Sequence, residues 1–71
     1  MAIMKKVKIN DEFITLGQFL KVVDLVSSGG EVKYFILNNN ILVNNEKETR
    51  RGRKLYRKDQ IIIDNITYEI C

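Results

Sequence analysis

FILNNNILVNN, residues 35 to 45, changes period in its middle. Phe35 and Ile36 join Val32 in a compact apolar stripe at helical spacing, whereas Ile41 and Val43 fall two apart, the rhythm of a strand with one face inward. Asn39 or Asn40 supplies the left-handed residue that ends the helix, and Asn44-Asn45 supplies the turn that closes the strand. A helix running straight into a strand and a tight turn points to an α+β chain.

Toward the N-terminus, the helix carrying Val32 starts near Gly29 and ends near Asn38, with Ser28 and Glu31 spaced as a capping box. Before it, ITLGQFLKVVDLV places Leu16, Phe19, Leu20, Val23 and Val26 at helical spacing behind a second such pair, Thr15 and Gln18. That spacing predicts a first helix from about residue 15 to 26. At the start, MKKVKIN alternates Lys6 and Lys8 with Val7 and Ile9, a first strand that Asn10 and Asp11 turn. Toward the C-terminus, QIIIDNITYEI is a hairpin: Ile61 and Ile63, an Asp64-Asn65 turn, then Ile66, Tyr68 and Ile70 alternating with Thr67 and Glu69. With no repeat, linker or proline, residues 1–71 are expected to form a single domain of two helices packed on a small, mostly antiparallel β-sheet.

So short a chain buries only about 60% of the surface its unfolded form exposes, and its core supplies roughly 3 to 5 kcal/mol. The usual staples of small folds are missing: there is no His, and the one Cys is Cys71. No Cys/His cluster offers a metal site, and no nucleophile stands with a base to activate it. The composition thus offers no support for a metal or a catalytic site, and the protein reads as a non-enzyme without a cofactor. A lone terminal thiol, no signal-peptide pattern and no apolar stretch approaching ~20 residues suit a cytoplasmic protein without a membrane partner.

Charge is the informative feature. The net charge is +3, yet RRGRKLYRK, residues 50–58, holds six of the twelve basic side chains and no acid. Such runs are commonly solvated loops. Here Leu55 lies within the run and Ile61 and Ile63 just beyond it, so the basic side chains should project from backbone pinned to the sheet. Arg50, Arg51 and Arg53 offer planar forks that match phosphate oxygens, with Lys54 beside them. The start of the second helix is the other candidate: Ser28, Gly29 and Gly30 expose backbone N–H groups at the positive end of the dipole, with Lys33 one turn on. An ordinary capped helix also explains that stretch. Tyr34 is read as packing or as a stacking surface for a base, and no evident aromatic platform accompanies it.

From residue 15 to 61, about two-thirds of the chain, TLGQFL, KVVDLVSSG, FILNNNILVNN and KDQI fall in register without an insertion. Their order resembles the RNA-binding domain of ribosomal small-subunit protein S-four, the alpha-L motif. That family reads approximately R-L-D-x-x-L, nine residues ending in S-R, L-I-x-x-G-x-V-x-V-N-G, and G-D-x-I. The resemblance implies an alpha-L fold with Leu16, Leu20, Phe35, Ile36, Ile41, Val43, Leu55 and Ile61 as its core. Asn39 and Asn45 stand for family glycines at positions that tolerate positive φ. Departures fall where the family touches RNA: Thr15 stands for the first Arg, Gly17 for the Asp and Gly29 for the Arg after Ser. Lys33 matches a commonly basic position, and Arg51 replaces a proline. With nothing appended, the chain looks like the small stand-alone, YaaA-like bacterial members.

The resemblance implies a non-catalytic protein, expected to be a monomer, that binds structured RNA, ribosomal RNA or an assembling ribosome with its ribosomal or assembly proteins. Its contacts would be Ser28, Gly29, Gly30, Lys33, Arg50, Arg51, Arg53 and Lys54, with binding shifted toward the basic segment. The alternative is an adaptor of the same fold whose basic patch meets an acidic protein. DNA is disfavoured, because nothing presents several side chains of one helix to a major groove.

Overall fold

The computed structural model describes residues 3–71. Strands β1 (Ile3–Val7) and β2 (Ile14–Thr15) lead into helix α1 (Leu16–Val22), and helix α2 (Gly29–Asn38) follows. Then come β3 (Ile41–Val43), β4 (Glu46–Lys47), β5 (Lys54–Leu55), β6 (Gln60–Ile63) and β7 (Ile66–Ile70). Five strands form one sheet in the order β1-β7-β6-β3-β4, antiparallel except where β1 runs parallel to β7. The two-residue strands β2 and β5 pair separately, Ile14 with Leu55 and Thr15 with Lys54.

Period-two alternation puts Ile41, Val43, Ile61, Ile63, Tyr68 and Ile70 in the interior, where they join Leu16, Phe19 and Leu20 of α1 and Val32 and Ile36 of α2. Phe19 meets Tyr68 edge to face at 5.3 Å. Of the core implied by the resemblance, only Phe35 stays half-buried. No helix among the described residues is long and apolar enough to cross a membrane.

The second helix has its expected bounds, and Thr15 with Gln18 forms the expected capping box. The first helix is shorter than its apolar spacing predicts. Asp24 adopts φ 66°, its N–H donates to Lys21 O, and Leu25 N–H reaches back to Leu20 O, a Schellman ending that stops α1 at Val22. Val26 keeps its place in the core, but from the connecting loop. The end of α2 also departs from expectation. Asn39 is extended (φ −131°), and its side-chain amide donates to Phe35 O, so a side chain satisfies the terminal carbonyl that a left-handed residue would otherwise satisfy through backbone. The left-handed asparagines are Asn44 (φ 51°) and Asn45 (φ 70°), as a two-residue type I′ turn between β3 and β4 requires. Lys58, at the place of the family's glycine in G-D-x-I, also takes positive φ (79°).

Gly17 lies in the first turn of α1, where an added Cβ would sit 3.5 Å from Arg51 O and from Val32 Cγ1, ordinary contact distances. Gly17→Ala is therefore expected to stabilise the domain by about 0.5–1 kcal/mol, through a less flexible unfolded chain and higher helix propensity. Urea unfolding at neutral pH checks this; a lower midpoint would mean that the helix start cannot take the methyl group.

Candidate nucleic-acid interface

Three of the N-terminal donors of α1 are spoken for. Leu16 N–H donates to Arg53 O (2.8 Å), Gly17 N–H to Arg51 O (2.9 Å) and Gln18 N–H to the Thr15 hydroxyl (3.3 Å). Two of these bonds dock the turn at residues 50–53 onto α1, and the pairing of Leu55 with Ile14 fixes the segment just beyond. The basic run thus has a fixed backbone, as the buried Leu55 suggests. Donors that α1 might have offered to an anion are used in holding it.

Glu48, absent from the sequence-based set, organises the run from within. It is the one buried charged side chain among the described residues, 6% exposed. Its carboxylate accepts from Arg50 Nε (3.0 Å), Arg50 Nη2 (3.1 Å), Arg53 Nη1 (2.8 Å) and the backbone N–H groups of Thr49 and Arg50. The Arg50 side chain, outweighing the opposing effect of burial, holds the Glu48 carboxyl down at about 2. Arg50 remains 74% exposed and Arg53 32%, so both present part of a guanidinium outward with half of their joint charge cancelled. The side chain of Lys54 lies over the Phe13 ring at 4.9 Å.

Arg51, unlike Arg50 and Arg53, pairs with no carboxylate among the described residues. It projects between two shallow hollows, one lined in part by Gly17, Lys21, Gly29 and Gly52, the other by Lys33, Ile36, Leu37 and Thr49. No carboxylate lines either hollow. The structure thus brings Gly29, Lys33 and Arg51, which lie apart in sequence, onto one surface and adds Lys21.

The rest of the α2 start is less open than its sequence implies. The Ser28 hydroxyl makes no cap hydrogen bond, and the expected box is replaced by Glu31, whose carboxylate accepts from Ser27 N–H at 3.0 Å. A carboxylate therefore already sits in the first turn beside Ser28 and Gly30, at the positive end of the dipole. Gly29 itself faces open space, with nothing within 4 Å of an added Cβ.

A family model described as "S4 domain" matches residues 7–71. Across 58 residues, 82% of each chain, the protein is 50% identical to a protein of Bacillus subtilis (strain 168) named "Probable ribosome maturation protein RlbA". With nearly the whole chain matched and the two helices set on a mostly antiparallel sheet, the protein belongs to the S4 domain family.

Proposed function

We propose that this protein is a non-catalytic RNA-binding factor that engages structured RNA, ribosomal RNA in an assembling ribosome, in the cytoplasm. The observation that carries this reading is the convergence of Lys21, Lys33 and Arg51 on two adjoining hollows that no carboxylate lines. A fixed backbone beneath unpaired cations lowers the ordering cost of meeting phosphates, and the name of the Bacillus relative points toward ribosome maturation. Arg50, Arg53 and Lys54 contribute at the margin of this surface, and Ser28 and Gly30 border it. Recognition is by shape and backbone, because the deep, narrow major groove of A-form RNA keeps side chains from its base edges.

Titration of the purified protein with structured ribosomal RNA fragments and with length-matched duplex DNA across a salt series tests the reading. Four to six engaged phosphates give a log–log salt slope of roughly −3 to −5, with RNA preferred. Equal weak binding to both, with a flat slope, would overturn it. Partners captured from nuclease-treated lysate would then favour an acidic protein as the target.

Gly29 offers a gain-of-function check. Because the family carries Arg here and the site is open, Gly29→Arg is expected to tighten RNA binding about three- to tenfold and to steepen the salt slope by about one. Unchanged affinity would place the RNA away from the start of α2.

A further inference from the structure

A groove of about 440 Å³ opens on the other side of α1, lined in part by Lys8, Asn10, Asp11, Phe13, Gln18 and Lys21. Gln18 and Lys21 also line the hollow beside Arg51, so the groove continues the surface described above. Its volume falls within the ~300–1,000 Å³ typical of ligand clefts. Its aromatic side is Phe13, whose neighbours strand pairing sets. The Ile14–Leu55 register places Phe13 next to Tyr56, with ring centroids 6.0 Å apart and tilted by 50°. Tyr56 is 44% exposed, and the Lys54 ammonium adds positive charge above Phe13. At the far end, Arg57 Nη2 donates to Ile9 O (3.0 Å), tying the segment after Tyr56 to the groove floor.

The polar atoms suit a base rather than a bare phosphate. Gln18 Oε1 is engaged with Thr15 N–H, which leaves its amide N–H groups for an acceptor on a base edge. The Asn10 amide and the Asp11 carboxylate can take base N–H donors, while Lys8 and Lys21 outnumber the one acid and suit the flanking phosphates. We infer that this groove binds an unpaired nucleotide, a bulged or loop base stacked on Phe13, in the same RNA whose helical part lies on the Arg51 surface. The inference rests on the RNA-binding reading and adds an element of structure that the RNA must carry.

The test uses the full chain and two hairpins, one fully paired and one with a single unpaired 2-aminopurine in its stem. The protein is expected to bind the bulged hairpin roughly tenfold more tightly, within the range for stacking a base on an aromatic side chain, and to quench the 2-aminopurine. Phe13→Leu, which keeps apolar bulk, should bind both hairpins at the paired affinity without quenching. Lys8→Gln, at an exposed position where folding is not at stake, should lower the preference several-fold. Equal affinity of the unaltered protein for both hairpins overturns the inference, as does a preference that survives Phe13→Leu. If both hairpins bind alike and Arg51→Ala weakens both, only the groove assignment falls. If neither hairpin binds, the RNA-binding reading falls with it.

Discussion

Glu48→Ala is expected to destabilise the domain by about 2–3 kcal/mol, a large share of the roughly 3–5 kcal/mol that a core of this size supplies. The substitution removes an acceptor used by two arginines and two backbone N–H groups, on or next to the turn that α1 leans on. The cost stays below that of breaking a fully buried pair, because Arg50 and Arg53 can turn their freed guanidinium groups to water. Glu48→Gln should fall between, since it keeps one acceptor oxygen and loses the charge. Urea unfolding of the three proteins at pH 7 gives the ranking; a Glu48→Ala protein as stable as the parent would mean that the arginines hold the turn without it.

Acid makes the same point on the unaltered chain. The Glu48 carboxyl titrates at about 2 when folded, against an ordinary value of 4.5. A carboxyl depressed on folding contributes stability that is fully present above its unfolded value and lost as pH falls through the folded one. The gap between the parent and Glu48→Ala should therefore be constant above about pH 5 and shrink between about pH 4.5 and 2. A gap that is independent of pH would assign the stabilisation to packing.

Local signals were legible in the residues and distant ones were not. The period change at FILNNNILVNN, the Thr15–Gln18 box, the bounds of α2 and the Asn44-Asn45 turn are set by neighbours within four positions, and each appears where its spacing puts it. The stop of α1 at Val22 escaped because Asp24 in the left-handed region costs more than glycine there, and only the docking of Leu25 and Val26 on the core favours it. The pairing of β2 with β5 escaped because two residues carry no period, and with it went the meeting of Phe13 and Tyr56. Glu48 reads as one more solvated acid in NNEKETR; its burial depends on arginines two and five positions on, a spacing that belongs to no helix or strand. Lys58 had a usable signal, since it stands in KDQI where the family has glycine, and its positive φ follows.

The cationic segment divides by role, and substitution should separate its members. Arg51 contributes its carbonyl to the docking of α1, and its side chain makes no ion pair among the described residues, so Arg51→Ala removes a cation from the surface without touching the hydrogen bond. Combined with Lys33→Ala, it is expected to weaken RNA binding about 30- to 100-fold near physiological salt and to flatten the salt slope by about two, with the unfolding midpoint unchanged. Arg50→Ala with Arg53→Ala should do the reverse. These side chains satisfy a buried carboxylate, so their loss leaves Glu48 short of partners and lowers the unfolding midpoint, while RNA affinity falls less because Glu48 already offsets part of their charge. A net-charge effect alone would weaken binding equally in the two doubles, each of which removes two positive charges. Equal losses would therefore make the basic run a diffuse attractor. Unequal losses in the stated direction would assign phosphate contact to Arg51 and Lys33, and scaffolding to the two arginines that a reading by charge alone counts as equivalent.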